Sequence, residues 1–247
     1  MRMFEPSFIV LIVTTALLLG YLIVARRRQS TASASIFVLV AAYGGIALAS
    51  FFAVRSFGRT LAEVTQLGGG IYTVSRGIWE AALLPLEAAW ATAILTLLAL
   101  LFLLPEAKKA FARDAQPGSS YRLLWLPGLA LAGGVTAVVL FRKAMAFVIN
   151  AITPGQQVGV GPEGVVSAVT ARLFTASAGS AVCFAVAVVL LAVAFRSRRA
   201  QPSRASFGIA VFALVVSLGV SAALITELRA YSSHYRNIAL HGGYKPY

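Results

Sequence analysis

Six stretches of the chain are apolar over about 20 residues, the length that crosses the hydrocarbon core of a bilayer as a helix. These stretches are 6–25, 35–54, 79–104, 123–141, 173–195 and 206–226. Hydrophobic residues make up 59% of the chain and charged residues 12%, whereas soluble domains average about 25% charged residues. Because six spans and their connections use up the 247 residues, we predict a single all-α, polytopic membrane domain with six transmembrane helices, covering residues 1–247.

A long sequence pattern occurs twice, in residues 41–102 and 126–195. Each copy has an apolar helix with two glycines, a basic turn, a glycine-rich break and a second apolar helix. Gly44-Gly45 in the first copy corresponds to Gly133-Gly134 in the second. Both copies begin on the same predicted side of the membrane, so the pattern predicts an internal parallel repeat of helical hairpins. The small residues in these spans favour close helix packing.

The distribution of basic residues predicts the orientation in the membrane. They are densest in the short turns 26–34, 105–122 and 196–205, and the positive-inside rule places such turns in the cytoplasm. We therefore predict a multi-pass protein of the bacterial inner (plasma) membrane with both termini outside. The net charge of +13 fits anionic lipid head groups rather than nucleic acid. The C-terminal tail, residues 228–247, is predicted as an interfacial or docking segment or as a loosely ordered terminus.

Two acidic residues, Glu80 and Glu87, fall within the third predicted span. They are seven residues apart and so share one helical face. Acids in hydrocarbon are costly, which makes both candidates for an ion pathway. The alternative is a structural ion pair with Arg55, Arg76 or Arg172. Arg76 lies one turn before Glu80, whereas alignment of the repeats places Arg172 at about the depth of Glu80 and predicts a pair between those two.

Other residues of the third span carry weaker predictions. Pro85 lies between the two acids and removes a backbone donor, so we predict a kink there. Trp79 suits the membrane interface, whereas Trp90 is predicted to pack inside the protein. Pro105 is predicted to end the helix.

The chain shows no pattern of catalytic or ligand-binding residues. The two histidines, His234 and His241, lie outside the apolar stretches, and the only cysteine is Cys183. Neither a nucleophile–base set nor a metal-ligand spacing occurs. We therefore predict that the protein is not an enzyme and that it holds no metal or cofactor.

A short motif resembles a known family. Residues 77–83, Gly-Ile-Trp-Glu-Ala-Ala-Leu, fit the G-I-x-E-A-x-L segment that opens a returning helix in the MotA/TolQ/ExbB proton-channel family. Residues 41–45 and 126–133 are similar to the glycine-containing helix that precedes it. The resemblance covers roughly half of the chain. The second copy carries Ala171 where the acid would fall, and Pro85 stands where the family usually has threonine.

The resemblance implies a proton- or ion-conducting inner-membrane subunit of a stator-like, energy-transducing complex. It implies an oligomeric ring around a partner, such as a single-span protein with a periplasmic domain, and makes Glu80 the channel-lining acid. The sequence leaves two alternatives open. One is a non-catalytic structural subunit of a larger membrane complex. The other is a small-solute transporter, which fits the duplication but not the parallel orientation of the copies.

Overall fold

The computed structural model describes five continuous segments and the isolated residues Thr175, Val182 and Ala185. Each segment is one helix, and the described residues contain no strand. The helices are α1 (Pro6–Arg27), α2 (Thr31–Leu67), α3 (Ile71–Ala112), α4 (Trp125–Ile152) and α5 (Arg204–His241). All five are long and apolar enough to cross a membrane, which confirms the all-helical, membrane-spanning class for this part of the chain.

One of the six predicted spans lies outside the described segments. That span is 173–195, which is also the returning helix of the second predicted hairpin. Six spans and a complete internal repeat therefore stay predictions. The opening helix of the second copy is α4, and it packs against its counterpart α2.

Three helices extend well beyond the predicted spans. α2, α3 and α5 have 37, 42 and 38 residues, so each is about 55–63 Å long at 1.5 Å per residue. α3 continues through Pro85 and Pro105 to Ala112, so the predicted helix end at Pro105 is wrong. Residues 228–241, predicted as part of a tail, continue α5 as regular helix. Each proline removes only one main-chain donor, and α3 continues as a helix past both of them.

Side-chain contacts define the antiparallel pairing of α3 with both of its neighbours. Against α2, the Thr92 hydroxyl lies 3.3 Å from the Ala42 carbonyl oxygen. Against α5, the hydroxyls of Thr96 and Ser217 are 3.4 Å apart. Nearer the start of α3, Arg236 of α5 lies over the Trp79 ring, 5.7 Å from its centroid. α5 therefore runs parallel to α2, and α3 and α5 share the largest interface of the bundle.

α2 occupies the centre of the bundle and α1 its edge. The most apolar window of α2 is 72% buried, compared with 17% for α1. α1 packs antiparallel to α2 through the rings of Tyr21 and Phe37, whose centroids are 4.6 Å apart. Its last turn places the Arg26 guanidinium 4.8 Å from the Phe102 centroid. The remaining surface of α1 is apolar and exposed, as expected for a helix that faces lipid.

Two glycines allow helices to approach closely. A Cβ atom on Gly134 of α4 would overlap the ring of Tyr43 on α2. A Cβ atom on Gly77 of α3 would lie 2.7 Å from Cγ2 of Thr60 on α2. Packing of this kind attracts helices in lipid, where no hydrophobic force operates between them.

Candidate functional site

Each described helix contains a long segment without Asp, Glu, Lys or Arg. These segments are 6–25, 31–54, 88–105, 125–141 and 205–226. The registers of the bundle place them side by side. Each has about 20 residues and is therefore about 30 Å long, the thickness of the hydrocarbon core. We infer that the bilayer covers this part of the bundle, which we call the apolar layer.

A group of charged residues marks one edge of the apolar layer, at the end opposite Arg26 and Arg204. We call this group the charged belt; it consists of Glu87, Arg142, Glu227 and Arg229. Arg142 of α4 forms an ion pair with Glu227 of α5, and the two side chains are 45% and 57% exposed. The Arg142 guanidinium also lies 5.6 Å from the centroid of the Tyr231 ring. The belt thus links α4 to α5 at the edge of the apolar layer.

Glu87 lies at the height of the charged belt and at the periphery of the bundle. On α3, Glu87 is about midway between Trp79 and Thr96. Those two residues contact Arg236 and Ser217 of α5, and the midpoint between these α5 residues is at Glu227, so Glu87 and Glu227 are level. Its side chain is exposed. Trp90, one turn away on the same face, is 49% exposed, so the prediction that it packs inside is wrong. This face of α3 points outward, because its opposite face packs on α2 and α5.

Glu80 lies about two turns, or about 10 Å, beyond the charged belt. Its side chain is partly buried, and the Nε of Arg76 donates to its Oε1 at 3.1 Å. Of the three predicted partners, Arg55, Arg76 and Arg172, Arg76 is therefore in place. Arg172 lies outside the described residues, so the predicted pair between Glu80 and Arg172 is not tested. The structure does not bring Glu80 and Glu87 together on a surface inside the bundle.

The helices continue beyond the belt as a packed unit that we call the headpiece. It consists of residues 55–67, 71–87, 142–152 and 227–241. Buried side chains from three helices form its core, among them Phe57, Ile78 and Tyr235. The headpiece carries most of the charged side chains of the described helices, including the Arg76–Glu80 pair. Its packing makes it a folded extension of the bundle rather than loose helix ends.

A cluster of hydroxyl groups lies near the middle of the apolar layer. We call it the hydroxyl cluster; its members are Tyr43, Thr92, Thr96, Ser217 and Ser221, and all five are buried. Tyr43 Oη donates to the Ser217 carbonyl oxygen at 3.1 Å and accepts from Ser217 Oγ at 3.2 Å. Ser221 Oγ lies 3.3 Å from Tyr43 Oη. The cluster therefore ties α2 and α5 to each other, and α3 joins through Thr96.

The hydroxyl cluster was not predicted from the sequence, although the sequence carries a signal for it. Thr92 and Thr96 are four residues apart, and so are Ser217 and Ser221. Such pairs place two hydroxyls on one helical face. Two such faces within apolar helices, together with a tyrosine in a third, predict polar contacts between helices.

The described residues offer no obvious metal centre. No three His, Cys, Asp or Glu side chains within the five described helices come together to hold an ion. Their polar chemistry consists of hydroxyl–hydroxyl, hydroxyl–carbonyl and exposed ion-pair contacts, which position helices.

Comparison with protein-family models, with curated proteins and with solved structures finds no match to this chain. The likeness to the proton-channel family thus depends on the short motifs at residues 41–45, 77–83 and 126–133.

Proposed function

We propose that this chain is a non-catalytic structural subunit of a larger membrane complex. The apolar layer anchors it, and the headpiece presents a docking surface to a partner outside the bilayer. One observation carries the proposal: α2, α3 and α5 have 37, 42 and 38 residues, although about 20 suffice to cross the hydrocarbon core. A chain that needed only to span the membrane would not require a packed helical unit beyond it.

The placement of polar groups supports the same proposal. The apolar layer contains no Asp, Glu, Lys or Arg, and its central hydroxyls bond to one another or to main-chain carbonyls. Satisfied polar contacts between helices stabilise a fixed arrangement. The charged side chains lie instead on the belt and the headpiece, where an aqueous partner can reach them.

Orientation and location follow from the basic residues. Arg26, Arg27 and Arg204 lie at the end opposite the headpiece. They belong to the short turns that are densest in basic residues, so the positive-inside rule places that end in the cytoplasm. The headpiece then lies outside, on the periplasmic face of a bacterial inner membrane. A single-span protein with a periplasmic domain is a partner of suitable form, since it offers both a membrane helix and a domain at the height of the headpiece.

Native-state purification tests the proposal. The tagged full chain is extracted from native membranes in a mild detergent, and the mass of the particle is measured. We expect a complex larger than one chain and its detergent. Arg55→Gln with Arg59→Gln, two exposed headpiece positions, should release the partner at lower salt than the native chain does. Arg27→Gln, at the opposite end, is the control and should not.

Two results would contradict the proposal. A particle with the mass of one chain, obtained while the protein remains folded, removes the need for a partner. Equal release by the headpiece and control variants shows that the headpiece is not the docking surface.

A second candidate function is proton or ion conduction in a stator-like complex. The exposed position of Glu87 at the edge of the apolar layer favours it, together with the motif at residues 77–83. Since Glu87 faces the periphery, a pathway through it would lie between this chain and a neighbour, either another copy or a different subunit. Conduction would then require the assembled complex.

Labelling and flux measurements separate the two candidates. Dicyclohexylcarbodiimide should label Glu87 or Glu80 in the assembled complex if either carries protons. Proton flux into liposomes should then fall with Glu87→Gln or Glu80→Gln. Glu227→Gln, which removes a belt carboxylate already paired with Arg142, should leave it unchanged. Absence of flux from the intact complex leaves the structural role alone.

A further inference from the structure

A groove runs along the outer surface of the bundle between α3 and α5. Its volume is about 720 Å³, and its lining is mostly apolar. The residues that define its course are Trp90, Ile94, Leu97, Leu218, Ala222 and Arg229. Trp90, Ile94 and Leu97 are each about half exposed, so the groove opens sideways from the bundle, towards the surrounding lipid.

The groove has the depth of one leaflet. Its inner end at Leu218 is next to the hydroxyl cluster, near the middle of the apolar layer, and Arg229 lies on the charged belt. The 11 residues between these two positions correspond to about 16 Å of helix, compared with about 15 Å for half of a hydrocarbon core. A lipid acyl chain that enters at the belt would therefore reach the midplane.

The belt end of the groove carries polar groups suited to a phosphate. Thr226, Arg229 and Ser233 follow one another on the same face of α5, and all three line the groove. A guanidinium binds phosphate oxygens through paired, charge-assisted hydrogen bonds. Trp90 lies near the same end, and tryptophan favours the depth of the lipid head groups.

We propose that this groove binds one phospholipid, with an acyl chain between α3 and α5 and the phosphate on Arg229. Two observations favour a phospholipid over a second helix as the occupant. The groove is as long as one leaflet is thick, and its belt end carries the Arg229 guanidinium, a cation that a phosphate needs and an apolar helix does not. Glu87, one turn from Trp90 on α3, also lies near this end. The Glu87 carboxylate repels the lipid phosphate, so binding of the phosphate depends on the Arg229 guanidinium.

Native mass spectrometry of the full chain tests the proposal. The protein is exchanged into detergent containing either phosphatidylglycerol or diacylglycerol with the same acyl chains, and bound lipid is counted. We expect one phosphatidylglycerol retained in preference to diacylglycerol. Arg229→Gln should reduce that preference by about fivefold, the size expected for one basic residue at a lipid surface. Arg27→Gln, an exposed arginine at the opposite end of the bundle and outside both the groove and the headpiece, is the matched control and should keep it.

A second variant tests the apolar part of the groove. Ala222→Phe places a ring where the acyl chain would lie, and it should reduce retention of both lipids. Because residue 222 is exposed, the substitution is compatible with folding, which the melting temperature checks.

Three outcomes would overturn the proposal. Equal loss of preference in the Arg229 and Arg27 variants shows only general attraction of anions to a basic protein. Unchanged lipid retention in a folded Ala222→Phe protein places the lipid elsewhere. A photoreactive side chain at position 94 that crosslinks to polypeptide and not to lipid assigns the groove to a protein subunit. Failure of the lipid proposal would not affect the proposed structural role of the headpiece, because the test of that role measures the mass of the particle and not bound lipid.

Discussion

The apolar layer and the headpiece share α2, α3, α4 and α5 but differ in how these helices meet. In the layer, the helices meet through Gly134, small residues and the hydroxyl cluster, with Tyr43 at its centre. In the headpiece, one glycine contact occurs, between Gly77 and Thr60, and the helices also meet through larger aromatic side chains and exposed charges, as where Arg236 lies over Trp79. Both regions have buried cores.

This difference follows from the surroundings of each region. Within hydrocarbon, apolar side chains gain little by leaving lipid for another helix, so close packing and internal hydrogen bonds supply the attraction. Beyond the hydrocarbon, burial of Phe57 and Ile78 removes apolar surface from water and stabilises the headpiece directly. Charges there remain hydrated and contribute little. Substitutions at packing contacts of the layer should therefore cost more than substitutions of headpiece charges.

The largest expected effect is that of Gly134→Ala. The added Cβ would overlap the Tyr43 ring, which its hydroxyl bonds to Ser217 hold in place. Overpacking of this kind costs about 1–3 kcal/mol. Thermal unfolding in one detergent should show a clear fall in melting temperature.

Gly45→Ala is the matched control for that substitution. Gly45 also lies in a helix of the apolar layer, but a Cβ there would meet nothing within 4 Å. Alanine favours helix over glycine by about 1 kcal/mol, so this variant should be neutral or slightly more stable. Equal losses from both variants would show that the approach of α4 to Tyr43 does not hold the layer together.

The next largest effect is expected from Tyr43→Phe. It removes a hydroxyl that links α2 to α5 and leaves the buried Ser217 and Ser221 hydroxyls with one partner fewer. Hydrogen bonds between membrane helices contribute about 0.6 kcal/mol on average and up to about 1.7 kcal/mol. The melting temperature should fall by less than with Gly134→Ala.

Tyr231→Phe provides the headpiece comparison for this variant. The Tyr231 hydroxyl is buried but makes no hydrogen bond of normal length with the residues that the structure describes. Its removal should cost nothing or stabilise slightly, since an unsatisfied buried hydroxyl is unfavourable. If Tyr231→Phe is the more costly of the two, the hydroxyl cluster is not the main polar link of the bundle.

The sequence predicted which segments form helices better than it predicted how those helices are aligned with one another along the bundle. The long apolar runs identified α1, α2, α3, α4 and α5, because a 20-residue apolar run has few other stable structures in a membrane. The same criterion placed Glu80 and Glu87 inside a span because residues 79–104 are apolar on average. Only the pairing with α5 shows Glu87 level with Glu227, and a long-range register of this kind leaves no local trace in the sequence.

The same limit explains the other errors. Pro105 was predicted to end α3, but a proline removes only one main-chain donor, and the helix continues past it to Ala112. Of the two alternatives for the tail, the loosely ordered terminus is wrong for residues 228–241, which continue α5 as helix and contact α3 through Arg236. The interfacial or docking segment stays a prediction. The sequence identified Gly134 only as part of the repeated pattern. Its contact with the Tyr43 ring of α2 depends on how α4 packs on α2, which the sequence does not reveal.

A smaller effect is expected at the charged belt. Arg142→Gln removes the ion pair with Glu227 and the contact with the Tyr231 ring. Because both charged side chains are about half exposed, the pair should contribute at most about 1 kcal/mol. High salt should reduce the difference between native and variant melting temperatures. Lys143→Gln, at the adjacent exposed position, is the control. A large, salt-independent loss would place the pair inside the hydrocarbon rather than at its edge.

The smallest effect is expected at the Arg76–Glu80 pair. The two residues are one helical turn apart, and the Arg76 side chain is 72% exposed. Such pairs contribute about 0.2–0.5 kcal/mol. Arg76→Gln and Glu80→Gln should therefore lower the melting temperature slightly and by similar amounts. A clearly larger loss with Glu80→Gln would indicate that Glu80 has a second partner, and Arg172 is the candidate that the repeat alignment predicts. In that case Glu80→Gln should lower the melting temperature much less in an Arg172→Ala background. The stability of the headpiece would then depend on a charge at Glu80, and the contrast with an apolar layer held by packing would not apply to this residue.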